Sequence, residues 1–117
     1  MFKMIKASCH CGAVQLEIPA IPETVSRCNC SICTRIGGLW AYYDPAVVNL
    51  LSARSVIDTY IWGDKMIQIC RCGTCGCTTH WESIDPEITG RMGINARMMT
   101  DINLDQIPVN LVDGASF

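Results

Sequence analysis

The stretch Cys28-Asn29-Cys30-Ser31-Ile32-Cys33 places three thiols within six residues, and the rest of the chain reads outward from it. A C-x-C-x-x-C run is an incomplete tetrahedral metal site. Four protein ligands close a zinc into a structural device, whereas three keep a position for water or substrate. The flanking residues give the run its place in a fold. Val25 to Arg27 reads as a short strand delivering Cys28, and Ser31 to Ile36 as a helical turn stopped by Gly37-Gly38.

Upstream, Val14, Leu16 and Ile18 alternate with Gln15 and Glu17 in the period of a half-buried strand that Pro19 ends. Downstream, Leu39 to Tyr43 is strand-like up to Asp44-Pro45, and Val47 to Leu51 continues the same sheet. Ile57 to Trp62 and Lys65 to Ile69 flank Gly63-Asp64 as a hairpin with a tight primed turn. Its second strand runs into Cys70-Arg71-Cys72-Gly73-Thr74-Cys75-Gly76-Cys77. Strand-like Thr78 to Glu82, the imperfect alternation of Arg91 to Met98, and Val109 to Val112 complete the pattern. Many short strands, few helical windows and no repeat predict a mainly β fold, a single domain over residues 1–117.

Composition narrows the function classes. Half of the 117 residues are apolar and 17% are charged, which is the balance of a globular chain. A net charge of −2 and no Lys/Arg run leave nothing to neutralise nucleic-acid phosphates or an anionic membrane surface. Met1 to Lys6 lacks the apolar core of a signal peptide, and the longest apolar runs are too short to span a bilayer. A cytoplasmic protein that binds neither nucleic acid nor membrane is expected. The nine cysteines are odd in number and, in the cytoplasm, reduced, so metal ligation accounts for them better than disulfides.

The cysteines fall into three groups: Cys9-His10-Cys11-Gly12, the opening run, and Cys70 to Cys77. Cys11-Gly12 and Cys75-Gly76 share a glycine just after a ligand, where the chain of a zinc knuckle folds back so that backbone N–H groups reach the sulfurs. This pairs Cys9 and Cys11 with Cys72 and Cys75 as a closed four-thiolate site. Cys28, Cys30 and Cys33 are left with Cys70, Cys77 or a histidine as fourth ligand, or with none, and spacing does not choose between a second closed site and an open one. Cys70 reads as a strand residue with a free thiol, and Cys77 equally as a small core residue or a ligand. A disulfide between the two would give the protein a redox role instead. His10 points to solvent. His80 is either a proton shuttle brought towards the open site or a histidine satisfied within the sheet. Trp40, Tyr42, Trp62 and Trp81 read as core aromatics, and Arg91, Asn95 and Arg97 as a solvated strand face.

Taken together, Ser8 to Val14, Cys28 to Cys33, Cys72 to Trp81 and Arg91 to Arg97 resemble the GFA family. That family is named for the glutathione-dependent formaldehyde-activating enzyme and shares its domain with centromere protein V. The resemblance implies a β-rich Mss4-like fold of short coiled sheets stapled by two zinc ions. It implies a structural zinc on Cys9, Cys11, Cys72 and Cys75, and a catalytic zinc on Cys28, Cys30 and Cys33. The implied reaction is that of a carbon–sulfur lyase, joining glutathione, or a similar small thiol, to formaldehyde or a related small aldehyde to give an S-(hydroxymethyl) adduct. A non-catalytic zinc-stabilised binding module of the same fold is the alternative. It requires a closed second site, with Cys77 or His80 as fourth ligand, and an exposed apolar patch. The sequence leaves the oligomeric state open.

Overall fold

The computed structural model describes residues 4–63, 65–87 and 89–116. In chain order it contains β1 (Ile5–Ser8), β2 (Gln15–Ile18), β3 (Val25–Cys28), α1 (Ser31–Ile36), β4 (Trp40–Tyr43) and β5 (Asn49–Leu50). There follow β6 (Ile57–Tyr60), β7 (Ile67–Cys72), β8 (Thr78–Ser83), β9 (Met92–Asn95) and β10 (Val109–Val112). The expected mainly β architecture is what the chain adopts. A small antiparallel sheet has the order β1-β2-β5, and a seven-stranded sheet has the order β10-β3-β4-β9-β8-β7-β6. All pairings are antiparallel except β10 with β3, which is parallel.

Strand alternation sorts side chains between two apolar clusters. Val14, Leu16 and Ile18 are fully buried and pack with Ala7, Val25, Ala41 and Ile94 in the main core. Burying a Leu or Ile side chain contributes about 1.5–3 kcal/mol. Trp40, one residue before Ala41, points to the other side and joins Ile69 and Trp81 in a second cluster, against which Ile32, Cys33 and Ile36 of α1 pack. The short helix is thus held by its apolar side chains on the tryptophan side of the large sheet. Gly93, opposite Trp81 in the ladder, is required there, because any Cβ on it would collide with the indole.

The sequence expectations need four corrections. Val47 to Leu51 does not extend the sheet of β4: Asp44 Oδ1 accepts from the Ala46 N–H at 2.9 Å and caps a 3-10 turn at Pro45–Val47. The chain then crosses over, and Asn49 and Leu50 pair with β2 in the small sheet. In the hairpin, β6 ends at Tyr60 and β7 begins at Ile67, so the connection is longer than two residues. The Lys65 N–H donates to the Trp62 carbonyl at 3.1 Å with Gly63 at φ 62°, while the other predicted turn residue, Asp64, lies outside the described residues. Trp62, expected in the core, is 39% exposed. Asn95, expected on a solvated face, is buried; its amide donates to the Thr78 carbonyl and its Oδ1 accepts from the Leu39 and Arg97 N–H groups.

Candidate metal centre

The glycine-marked turns bring Cys9, Cys11, Cys72 and Cys75 together, with all four sulfurs within 4.8 Å of one another. Cys9 and Cys11 leave β1, and Cys72 and Cys75 leave β7. Gly12 at φ 84° and Gly76 at φ 79° let both turns close. The Val14 N–H then donates to Cys9 Sγ at 3.2 Å, and the Thr74 and Cys75 N–H groups donate to Cys72 Sγ at 3.3 and 3.4 Å. Backbone N–H groups of Cys11 and Cys77 pull the Cys75 thiol down to about 5, and that of Cys75 lowers Cys72 as well. Cys9 and Cys11 sulfurs are 3.7 Å apart, those of Cys11 and Cys72 3.5 Å. Zinc–sulfur bonds of about 2.3 Å in a tetrahedron set edges of roughly 3.8 Å, so the donor set and its spacing fit zinc.

The second cluster is built on a different local frame. β3 ends at Cys28, Cys30 is the N-cap of α1, and Cys33 lies within its first turn. Cys28 Sγ accepts from the Cys30 N–H and Cys30 Sγ from the Cys33 N–H, both at 3.5 Å. Gly37 at φ 69° ends the helix as expected, its N–H donating to the Cys33 carbonyl. The three sulfurs lie within 4.8 Å of one another, and among the described residues no fourth Cys, His, Asp or Glu joins them. Burial, and a hydrogen bond with the Cys30 sulfur, push the Cys33 thiol up to about 12, with the Trp40 indole opposing. Cys30 goes the other way: burial raises it, but the Cys33 backbone N–H and the neighbouring thiols bring it below its ordinary value.

A cleft of about 390 Å³ opens beside these sulfurs, with Arg27, Cys28, Cys33, Thr34, Leu111 and Asp113 in its wall. One side is strapped on by β10. Asn29, between two of the thiols, donates to Asp113 Oδ1 at 2.9 Å and accepts from the Ala115 N–H at 2.9 Å. Gly114 passes so close to Cys28 that any Cβ there would collide with its sulfur. Hydrogen bonds from Ser116 and Asn29 hold the Asp113 carboxyl below the usual carboxylate range.

Residues 4–106 match the family described as glutathione-dependent formaldehyde-activating enzyme. The chain belongs to that family. A crystal structure of a Rhodobacter sphaeroides protein is similar to it, with a TM-score of 0.76 at 26% identity, covering 91% of this chain and 100% of the other. No curated protein sequence matches as a relative. Within this member of the formaldehyde-activating family, residues 107–116, which strap the cleft, lie beyond the matched segment.

His80 lies apart from the three-thiol cluster, in a group with Cys70 and Glu82. It is completely buried, and burial drives its imidazole down to about 4 although the Glu82 carboxylate pulls the other way. Glu82 is bound by the Arg54 guanidinium at 2.6 and 2.7 Å, which holds its carboxyl down at about 2. Cys70 is buried with its thiol 3.4 Å from Glu82 Oε1, and Cys77 is half-buried against the main core. His10 is exposed, as expected, and all nine cysteines are free thiols. Arg91 lies over the Tyr42 ring at 3.9 Å, and Arg97 Nε donates to the Gly37 carbonyl at 2.7 Å, so neither side chain is simply solvated. Sequence reasoning missed Asn29, Asp113 and Gly114. The signal for them was a side-chain amide lying between two ligands; its partner is visible only once β10 is paired.

Proposed function

We propose that the protein is a cytoplasmic zinc enzyme that joins a small thiol of the glutathione type to formaldehyde or a related aldehyde at Cys28, Cys30 and Cys33. The observation that carries this reading is the convergence of three thiols, with no fourth ligand among the described residues; two of the thiols, Cys28 and Cys33, stand on the wall of an accessible cleft. Family membership supports the reaction class. A second zinc, on Cys9, Cys11, Cys72 and Cys75, ties the small sheet to the large one and takes no part in the chemistry.

A zinc held by three thiolates with one exchangeable position supplies a lowered thiol pKa or a polarised carbonyl oxygen. The chain's own residues do the rest. N–H groups of Cys30 and Cys33 orient the Cys28 and Cys30 sulfurs, and Gly114 lets the last strand pack close against Cys28. Arg27 and Asp113 offer opposite charges at the wall, suited to a thiol that carries both carboxylate and ammonium groups. In the reaction the substrate sulfur forms a bond to the aldehyde carbon, the carbonyl π pair moves to oxygen, and the thiol proton ends on that oxygen. No redox partner is needed. Holding the two reactants side by side is the main gain, since oriented reactants avoid most of the entropic part of the barrier. His80 is left out of this scheme because its free nitrogen faces Cys70 and Glu82.

The deciding assay is formation of S-(hydroxymethyl)glutathione by zinc-loaded protein, followed by exchange NMR. Acceleration above the spontaneous rate, lost in Cys30→Ser, is expected; an unchanged rate at high protein concentration refutes the substrate assignment. The binding-module alternative draws on the exposed Tyr60, Ile61 and Trp62. It predicts two equally inert zinc ions and no acceleration.

A further inference from the structure

Cys70, His80 and Glu82 meet on the β7–β8 ladder, and the proposed reaction uses none of them. Cys70 stands directly opposite His80, and Glu82 is one pleat further along β8 on the same face. Cys72, a ligand of the closed cluster, lies two residues beyond Cys70 on β7. One ligand atom from each of Cys70, His80 and Glu82 falls within 4.8 Å of the other two, with Cys70 Sγ 3.4 Å and His80 Nε2 3.9 Å from Glu82 Oε1. Sulfur, nitrogen and oxygen bound at about 2.0–2.3 Å to a tetrahedral zinc stand roughly 3.3–3.8 Å apart, so these spacings need little adjustment.

An independent observation points into the same space. His80 Nε2 is buried without a hydrogen-bond partner, a condition that is costly for a polar atom shut away from water. On the other side of the ring, Nδ1 is engaged. Thr79 Oγ1 donates to the Cys70 carbonyl at 3.4 Å and lies 2.7 Å from His80 Nδ1. The 2.7 Å contact engages Nδ1 in either tautomer, so Nε2 is the ring nitrogen left without a partner. Nε2 faces a thiol and a carboxylate, and the other ring nitrogen is anchored as in a metal-binding histidine. A cation between them would satisfy all three groups at once.

We propose that Cys70, His80 and Glu82 form a third metal site, for a zinc-like divalent cation, with one sulfur, one nitrogen and one oxygen ligand and water in the fourth position. Arg54 occupies the carboxylate in the absence of the ion. Its side chain is 63% exposed and Glu82 21% exposed, so the guanidinium can withdraw to solvent and open an entry path. On binding, the Cys70 thiol proton leaves to solvent and the sulfur–metal bond replaces it. The ion then bridges β7 and β8 beside the closed cluster.

The test uses the full chain loaded with cadmium-113 and observed by NMR, alongside zinc competition against a chelator. Three resonances are expected, the least deshielded belonging to the single-sulfur site. Cys70→Ala and Glu82→Gln should each remove that resonance and weaken the third zinc equivalent about tenfold or more, while Cys30→Ser should remove only the three-sulfur resonance. Arg54→Met, a surface change, should tighten the third equivalent several-fold, because it deletes the competing cation. Saturation at two ions in the wild type overturns the proposal, as does a third ion that survives Cys70→Ala and Glu82→Gln or binds no tighter in Arg54→Met. Loss of the three-sulfur resonance from the wild type would instead count against the proposed catalytic site and leave this one standing.

Discussion

The two thiol clusters differ less in their ligands than in what holds them. The group of Cys9, Cys11, Cys72 and Cys75 joins two strands more than sixty residues apart in the chain, and two of its cysteines are buried at the edge of the main core. Cys28, Cys30 and Cys33 all come from one strand-to-helix turn, packed on the second cluster of tryptophans, with a cleft in front. A cross-link between distant segments stabilises a fold by closing a long loop. A cluster contained in one turn closes nothing, so it is free to serve a ligand. The comparison teaches that connectivity, rather than ligand type, separates a cluster that links distant strands from one that faces a cleft.

The largest effect should come from exchanging one sulfur in each cluster. Cys72→Ser should abolish cooperative unfolding, because a structural zinc contributes on the order of 10 kcal/mol that is folding free energy. Cys30→Ser should lose one ion yet melt within a few degrees of the parent. Thermal melts with metal analysis decide, and equal collapse of both variants would break the distinction. From protein loaded with two equivalents of zinc, graded chelation should next remove the metal in two phases, the ion of the Cys28 cluster first, with secondary structure retained after that phase. A single phase accompanied by unfolding would contradict it.

A smaller change tests the cleft alone. Gly114→Ala pushes a methyl group into Cys28 Sγ, a strain of about 1–3 kcal/mol. Adduct formation should fall about tenfold, while the melting temperature falls only by the several degrees that this strain implies; an unchanged rate with a larger fall would make the strap a stability element. The smallest effect concerns the Glu82 carboxyl, held at about 2 by Arg54 against an ordinary 4.5. Its folded value lies below the unfolded one, so the carboxylate stabilises the fold fully above about pH 4.5, and that contribution disappears as the pH falls towards 2. With zinc limited to two equivalents, Arg54→Met should raise the folded value in a carboxyl-selective NMR titration. An unmoved value would show that the guanidinium is not what depresses it.

Local signals made much of this legible in advance. Gly37 sits in the left-handed conformation that ends α1, and Gly12 and Gly76 take the positive φ that paired the four cysteines across the chain. These features depend on a residue and its immediate neighbours. Long-range register was not legible. The β7–β8 ladder slips between Cys70 and Arg71, so Cys70 faces His80 while Arg71 faces Thr78. A slip of this kind re-aims every later side chain, and no spacing rule could have placed His80 beside Cys70 and Glu82. The crossing of Asn49 and Leu50 to the small sheet was hidden likewise, because the Asp44 cap redirects the chain without altering its apolar pattern.

The parallel pairing of β10 with β3 has a practical consequence for anyone wishing to redesign the protein. The sulfurs sit inside the family-matched segment, whereas Leu111, Val112 and Asp113 in the facing wall lie outside it. The proposed metal ligands and one wall of the cleft are therefore written in separate stretches of the polypeptide. A library confined to the last strand, with Gly114 kept, reshapes that wall without touching a single proposed metal ligand.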